Sequence, residues 1–331
     1  MRPREAPVPS PADLELLGKV ARLHYEYGLT HQEVADLLHL NRVKVTRLLG
    51  RARDLGIVQI RVLSDASPFA RLETDLRLEC GLDEALVVPS NDDEALAREA
   101  VARAAAGYLQ RVLRDDMVVA IGLSRTVGLI AHFVVDPRPV RSVFISMSGG
   151  LRKVSLAANP YEGTEGLAQL FGSVGEHLHA PAIVGSPEVA HALLGDRTTA
   201  EVLSRAASAD VALLGVGGIS DHATLVAEGE VTASEIDELV AAGAVGDVAG
   251  RFFDADGAPV EHELNERVIG LTIDQIREIP LRIVVAAGPG KREALAAAVR
   301  GGLPTVLVAD AVNAEWVLAH AKGGQKSVRG T

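Results

Sequence analysis

The chain has little cysteine and few aromatic residues. Cys80 is its single cysteine, and aromatic residues make up 3% of its 331 residues. A single cysteine excludes a disulfide framework and a cysteine-rich metal site. No apolar run reaches the roughly 18 residues that a membrane-spanning helix needs, and residues 1–10 lack the apolar core of a signal peptide. We therefore expect a cytoplasmic protein with no membrane partner.

Metal-ligand patterns are also scarce. The 10 histidines show no paired H-x-x-x-H spacing, and their closest pair lies in "HLHA" (177–180). The segment "DADG" (254–257) resembles the start of a calcium loop, but the acidic residue expected further along is out of register. We expect a hairpin turn at "DADG", and neither a metal nor a cofactor in the protein.

Positive charge is concentrated near the N-terminus. The net charge is −11, yet residues 1–62 hold 10 Lys/Arg and 7 Asp/Glu, net +3, which leaves net −14 for the remainder. The segment "NRVKVTRLLGRAR" (41–53) carries five basic residues and no acid. Because duplex DNA attracts local positive surface, this division indicates a nucleic-acid module joined to an acidic domain.

The spacing of apolar residues predicts three short helices in this basic part. The first helix ends near Gly28. Thr30 and Glu33 then form the capping-box pattern at the start of the second, whose apolar face would be Val34, Ala35, Leu37 and Leu38. Asn41 is an N-cap candidate for the third helix, whose buried stripe would be Val45, Leu48, Leu49 and Ala52. This order is typical of a helix-turn-helix.

The polar residues outside that stripe are the candidate DNA contacts. Arginine can bind guanine in two places, so we expect Arg42 and Arg47 to read bases, and Lys44 and Arg51 to contact phosphates. An ordinary basic surface on a three-helix unit is the alternative. The complete set of candidate DNA-binding residues is Thr30, Gln32, Asn41, Arg42, Lys44, Thr46, Arg47 and Arg51.

Apolar runs alternate with helical patterns in the longer C-terminal part. The expected strands are 84–89, 117–122, 142–149, 210–217, 282–288 and 305–310. Continuous apolar strands separated by helices favour an α/β fold with a parallel sheet covered on both faces.

Glycine and polar residues follow several of these strands. The segment "GLSRT" (122–126) places Gly122, Ser124, Arg125 and Thr126 between a strand and a helix, and Lys291 opens a helix in "AAGPGK" (286–291). Similar loops occur at 146–151 and 215–220. Ligands of parallel sheets bind at the carboxyl ends of strands, so these loops predict one anion-binding site, with ordinary turns as the alternative.

The sequence resembles the SorC family of bacterial sugar-responsive transcriptional regulators. The resemblance covers about residues 12–320 and rests on residues 25–62, "GLSRT", "SGG…AAN", "ADVALLGVGG", "GAVGDVAGRFFDADG", "LNERVIGL" and "AAGPGK". It implies a small helix-turn-helix domain followed by a larger Rossmann-like α/β sugar-binding domain, similar in fold to ribose-phosphate isomerase and glucosamine-phosphate deaminase. It also implies that the protein binds operator DNA and a small sugar, sugar phosphate or polyol phosphate, and that it self-associates to a dimer or tetramer. The effector-binding residues expected from the loops and the resemblance together are Gly122, Ser124, Arg125, Thr126, Ser148, Asn159, Gly217, Gly218, Asp247 and Lys291.

Departures from the family pattern occur at Asn41, Lys44 and Ser148. The first two leave the operator sequence open. Some family members bind their ligand covalently through a lysine at or near the position of Ser148. A serine cannot form that Schiff base. Lys153 lies nearby, but the resemblance assigns it no role.

The predicted organisation is a DNA-binding domain at 1–62, a linker at 63–70, an effector-binding and oligomerisation domain at 71–320 and a flexible tail at 321–331. Two other functions compete with a regulator. One is a sugar-phosphate isomerase or deaminase with a DNA-binding extension, for which Asp116 and Asp247 are candidate bases without an evident acid–base partner. The other is a metabolite-binding protein whose basic helix contacts a protein. We expect a regulator and no catalytic residues.

Overall fold

The chain forms two compact units, Met1–Asp65 and Ala66–Thr331, in a computed structural model. The structure describes residues 11–58, 68–151, 159–219 and 224–321. Lys153 and most of the predicted linker and tail lie outside these ranges. Among the described residues, each helix is too short or too polar to cross a bilayer.

The N-terminal unit contains three helices: α1 (Pro11–Tyr25), α2 (His31–Leu37) and α3 (Arg42–Asp54). Both expected caps are present. The Thr30 hydroxyl accepts from the Glu33 N–H at 3.3 Å, the Glu33 carboxylate accepts from the Thr30 N–H at 2.8 Å, and the Asn41 side chain accepts from the Lys44 N–H at 2.7 Å. The chain turns between α2 and α3 through His39, which has a φ of 52°.

The core of this unit contains the residues expected of α3. Val45 and Leu49 are buried and pack with Val20 and Val34, and Ala52 is buried in a smaller cluster with residues of α1. Leu48 is partly buried against both clusters. Leu37 is an exception, because its side chain is 58% exposed. A seven-residue helix turns only part of its surface toward its two neighbours, so Leu37 on the flank stays in solvent.

The second unit alternates strands and helices. Its strands are β1 (Glu84–Val88), β2 (Val118–Ile121), β3 (Val143–Ser146), β4 (Val174–Glu176), β5 (Val211–Gly218), β6 (Gly246–Val248), β7 (Arg251–Phe253), β8 (Leu281–Ala286) and β9 (Val306–Asp310). Its helices are α4 (Ala70–Cys80), α5 (Glu94–Val112), α6 (Arg125–Leu129), α7 (Pro160–Phe171), α8 (Pro187–Leu194), α9 (Arg197–Ala207), α10 (Thr224–Ala227), α11 (Ala233–Ala241), α12 (Glu263–Glu266), α13 (Ile273–Glu278), α14 (Arg292–Arg300) and α15 (Ala311–His320), with short 3₁₀ helices at Ile130–Phe133 and Pro289–Lys291.

Seven strands form a parallel sheet in the order β1-β9-β8-β5-β2-β3-β4. From β2 the chain moves outward to β3 and β4, and it then returns to place β5 on the other side of β2. From β5 it continues outward through β8 and β9. The strand order therefore reverses between β2 and β5, and such a reversal opens a crevice at the carboxyl ends of the two strands.

Helices cover both faces of this sheet. Alternate residues of β5 point to opposite sides: Ala212 and Leu214 pack in a core with α9, α13 and α14, whereas Val211 and Leu213 pack in a core with α5, α6 and α7. This arrangement explains why the strands read as continuous apolar runs, and it confirms the predicted α/β fold.

The six strands expected from apolar runs do not include β4, β6 or β7, and each omission has a physical reason. β4 is a three-residue edge strand with partly exposed residues, so it has no apolar run. β6 and β7 form a short antiparallel hairpin that extends β5, and its turn at Ala249 and Gly250 has positive φ at both positions, 50° and 82°. Residues 254–257 form the expected turn, in which the Gly257 N–H donates to the Asp254 carbonyl at 3.0 Å.

Candidate functional site

The outer surface of α3 carries the basic residues expected of a DNA-reading helix. Arg42, Lys44, Arg47 and Arg51 are all exposed, while Val45 on the opposite side is completely buried. In the described residues, no acidic side chain forms an ion pair with any of these four cations. The helix therefore presents a positive surface that is available to phosphate and base edges.

The polar candidates around α3 have roles within the unit itself. Thr30 and Asn41 cap their helices, and the Gln32 amide donates to the Asp36 carboxylate at 2.8 Å. The Thr46 hydroxyl donates to the Arg42 carbonyl at 3.1 Å and lies 3.1 Å from the His31 ring. The contacts of Asn41 and Thr46 involve the N-terminal half of α3, whereas those of Thr30 and Gln32 lie within α2 and its cap. Contact of these four residues with DNA stays a prediction.

Val43 was missed by the sequence analysis. It lies in the first turn of α3 and is 61% exposed, flanked by Arg42 and Lys44. An exposed apolar residue at this place can contact the methyl group of thymine in the major groove. The signal was available, because Val43 falls outside the 3–4 spacing of the buried stripe.

A cavity lies at the carboxyl ends of β2 and β5, where the strand order reverses. Six of the ten predicted effector-binding residues line this cavity. These six are Ser124, Arg125, Thr126, Gly217, Asp247 and Lys291. The loops after β2, β5 and β8 meet there because parallel strands end at the same edge of a sheet.

Two glycines of β5 allow side chains to cover the strand. A Cβ atom at Gly215 would clash with the Ser124 hydroxyl, and one at Gly217 would clash with the Asp247 carboxylate. Glycine at both positions therefore brings a hydroxyl and a carboxylate against the strand end.

Arg251 holds the hairpin that carries Asp247. Its guanidinium donates to the carbonyls of Val268 at 3.2 Å, Gly270 at 3.0 Å and Leu271 at 3.2 Å, and also to that of Asn265. Burial lowers the pKa of Arg251 to about 10. This buried cation bonds to carbonyls and fastens the hairpin to residues 265–271.

Charge in the cavity is mostly positive. Arg98 of α5, Arg125 and Lys291 contribute three cations, and Asp247 is the one acidic residue among the lining residues that the structure describes. Burial lowers the pKa of Arg125, and neighbouring Arg98 lowers it further. Burial also lowers the pKa of Lys291, which the Asp247 carboxylate partly restores. An anion would relieve the repulsion among these cations.

The pKa of Asp247 is shifted upward, whereas the pKa values of the neighbouring cations are lowered. Burial raises the pKa of its carboxyl, while the charge of Lys291 and the N–H of Gly250, 3.2 Å from Oδ2, lower it. A partly desolvated carboxylate of this kind is a good acceptor for ligand hydroxyl groups.

Ser124 also has a structural role, and its contact with an effector stays a prediction. Its Oγ accepts from the N–H groups of Thr126 at 3.2 Å and Val127 at 3.3 Å, so it caps α6. These two N–H groups are therefore bonded within the protein, and an anion beside them would depend mainly on the Ser124 hydroxyl hydrogen and on Arg125.

Four predicted residues lie outside the lining of this cavity. Gly122 packs against Leu213, and Gly218 allows close approach to the Gly290 carbonyl. The Asn159 side chain caps α7 by accepting from the Tyr161 N–H at 3.1 Å. Ser148 is fully buried, forms a bridge with Gly270, and its hydroxyl has no hydrogen-bond partner among the described residues. Effector contact by these four residues stays a prediction.

Arg98 is a cavity residue that the sequence analysis missed. It lies on the second turn of α5, and Glu94 of the same helix holds its guanidinium at 3.0 Å. Arg98 lies in a helix and not in a strand-end loop, so only the packing of α5 against the sheet shows that it reaches the cavity.

Known proteins resemble this chain over most of its length. Residues 64–319 match the family described as "Putative sugar-binding domain". The transcriptional regulator LsrR of Klebsiella pneumoniae subsp. pneumoniae is 31% identical over 317 residues, which are 94% of this chain and 94% of that protein. In structure, the full-length sorbitol operon regulator SorC from Klebsiella pneumoniae has a TM-score of 0.72 and 25% identity, with 93% of this chain and 99% of that chain covered. A DeoR family transcriptional regulator from Listeria monocytogenes has a TM-score of 0.70 and 30% identity, with 76% and 100% covered. The cavity at the strand ends and the basic helix thus occur in a transcriptional regulator and not in an enzyme, and the chain belongs to the SorC family of sugar-responsive regulators.

Proposed function

We propose that the cavity between β2 and β5 binds a small phosphorylated sugar or polyol, and that this ligand controls the affinity of α3 for operator DNA. The observation that carries the proposal is the convergence of Arg98, Arg125 and Lys291 on one cavity, where Asp247 is the only acidic residue among the described lining residues. Three cations suit a phosphate, and a carboxylate suits sugar hydroxyl groups.

The phosphate is assigned to the side of the cavity formed by Ser124, Arg125 and Thr126. Arg125 supplies the charge, and the hydroxyl groups of the other two residues supply donors. Asp247 accepts from the hydroxyl groups of the sugar, and Lys291 binds either a hydroxyl group or a second phosphate.

The DNA interface is assigned to α3. Arg42 and Arg47 read bases, Lys44 and Arg51 bind phosphates, and Thr30, Gln32, Asn41 and Thr46 support the approach to the backbone. The exposure of the four cations and the burial of the opposite side of the helix support this assignment.

The working form is a cytoplasmic dimer or tetramer that assembles through the second unit. One reading helix covers half of an operator, so two copies are needed to bind both halves. In this proposal residues 1–62 bind DNA and residues 71–320 bind the effector, and the division of the chain into compact units at Asp65 and Ala66 is compatible with it.

Calorimetry with sugar phosphates and their unphosphorylated parents tests the effector proposal. We expect binding of at least one phosphorylated compound and much weaker binding of its parent. Arg125→Ala should abolish this binding and leave operator affinity in the absence of effector unchanged. Equal affinity for a compound and its parent would contradict the phosphate assignment.

A further inference from the structure

The cavity lysine belongs to a loop in which the backbone of Gly288 is held by two buried side chains, Asp310 at the end of β9 and Asn313 of α15. Gly288 begins the 3₁₀ helix Pro289–Lys291, and its φ of 89° is in the left-handed region that favours glycine. Its N–H donates to the Asp310 carboxylate at 2.7 Å, and its carbonyl accepts from the Asn313 amide at 2.9 Å. Both polar groups of Gly288 are therefore held by side chains at the start of α15.

The two side chains are fixed by each other as well. The Asn313 amide donates to Asp310 Oδ2 at 2.9 Å, and the Asn313 N–H donates to Oδ1 at 3.0 Å. Asp310 is 2% exposed and Asn313 is completely buried. A buried carboxylate that accepts several N–H groups is costly to disturb, so this pair holds its geometry tightly.

The same loop lies beside Glu94, the residue that forms an ion pair with a second cavity cation, Arg98. A Cβ atom at Gly288 would lie 3.4 Å from the Glu94 side chain, and Glu94 holds Arg98 at 3.0 Å. Lys291 itself donates its N–H to the Gly288 carbonyl at 3.2 Å. Gly288 is thus bonded directly to Lys291 and lies beside the residue that holds Arg98.

We infer that Asp310 and Asn313 are positioning residues for effector binding, which hold Lys291 in the cavity by fixing the backbone N–H and carbonyl of Gly288. The inference rests on the proposed function, because it assigns Lys291 to the effector. Neither residue lines the cavity, so both act through the loop.

A double-mutant cycle tests this role. The probes are inorganic phosphate and the sugar phosphate that binds most tightly in the calorimetry described above. Asn313→Ala should weaken binding of the sugar phosphate by about five- to tenfold in the wild-type background, and have little further effect in the Lys291→Ala background. Glu315→Ala, an exposed residue on the same helix, is the matched control and should change nothing. Operator affinity without effector and the thermal midpoint report whether the variant is folded.

If Asn313→Ala does not fold, Ser90→Ala is the milder variant, since the Ser90 hydroxyl lies 3.4 Å from the Asp310 carboxylate and accepts from the Val312 N–H.

A second readout needs no effector. Burial holds the pKa of Lys291 below its ordinary value. NMR titration of the ¹³C-methylated protein, with the Lys291 signal identified by its loss in Lys291→Ala, should show this pKa rising toward the ordinary value in Asn313→Ala. An unchanged titration together with additive losses in the cycle would overturn the inference. If Lys291→Ala binds the probes as well as the wild type does, the proposed function fails at Lys291, whereas the NMR result still decides whether Asn313 positions the lysine.

Discussion

The Asp247 carboxylate lies directly against the backbone of Gly217, so close that even one added methyl group on the glycine would clash with it. The two residues face each other on neighbouring antiparallel strands, β5 and β6. Residue 217 must therefore be glycine for the Asp247 carboxylate to reach the cavity.

Gly217→Ala should displace Asp247 and weaken effector binding. Overpacking of this kind costs about 1–3 kcal/mol, and here the carboxylate can move aside, so we expect most of the loss in binding and less in stability. Calorimetry and thermal unfolding would separate the two effects. Gly107→Ala is the control, because a Cβ atom on that glycine of α5 meets nothing within 4 Å. If Gly217→Ala binds the effector with wild-type affinity, Asp247 is not part of the binding site.

Arg47→Ala should lower operator affinity by about 1–3 kcal/mol and relax the preference at one base pair, since a base-reading contact would be lost. Lys44→Ala should weaken binding to every sequence alike and flatten its salt dependence, since a phosphate contact would be lost. Fluorescence anisotropy with operator and scrambled duplexes, at several salt concentrations, measures both effects. Lys19→Ala on α1 is the exposed control. Unchanged affinity in both variants would refute the assignment of α3.

Val43→Ala should cost about 1 kcal/mol in operator affinity if its side chain covers a thymine methyl group. Replacing that thymine by uracil removes only the methyl group, so the wild-type protein should lose a similar amount on the uracil operator. The variant should bind both operators equally. Additive losses from the two changes would show that Val43 and the methyl group do not meet.

Asp247→Asn should raise the stability of the protein at neutral pH while it impairs the effector response. Burial raises the pKa of Asp247, so the folded protein binds this proton more tightly than the unfolded chain does. The resulting stabilisation is complete below the ordinary pKa of 3.8 and is lost as pH rises through the higher folded-state value. The nearby charge of Lys291 weakens this effect without reversing it.

Thermal unfolding as a function of pH measures the difference. The midpoint of Asp247→Asn should exceed that of the wild type above the folded-state pKa, and the two should converge as pH falls below 3.8. Asp237→Asn, an exposed change on α11, should follow the wild type throughout. A lower midpoint for Asp247→Asn at neutral pH would show that the carboxylate stabilises the fold.

The protein should be a dimer or tetramer at micromolar concentration, because a single α3 covers half of an operator. Assembly should depend on residues after Phe69, so residues 1–62 alone should bind DNA poorly. Light scattering of the full chain and of this fragment checks both statements. A monomeric full chain, with and without operator, would contradict them.

Residues that obey a short periodicity could be predicted from the sequence. The buried side of α3 follows helical spacing, and six strands are visible because burial on both faces makes them continuously apolar. Parallel strands end at one edge, so the meeting of Ser124, Gly217 and Lys291 could also be inferred.

The remaining parts of the site depend on packing between distant segments. Arg98 reaches the cavity from a helix, and nothing in its local sequence distinguishes it from other exposed arginines. Ser148 follows an apolar strand as Ser124 does, yet it is buried against Gly270, because β3 lies one strand further from the reversal of strand order. The roles of Asp310 and Asn313 required the position of Gly288 to be known.

The pairing of β1 with β9 affects how the second unit can form during synthesis. Glu84 lies opposite Val306 and Val88 opposite Asp310, so one of the first strands of the unit to leave the ribosome has its neighbour among the last. Contacts so distant in sequence slow folding, because the intervening chain must be ordered before they form. The nascent unit therefore cannot complete its sheet until translation has almost finished, and its apolar β1 depends on the other elements for cover until then. A chain that terminates before residue 306 would leave β1 unpaired, and we expect proteolysis to remove such products before they can occupy operators.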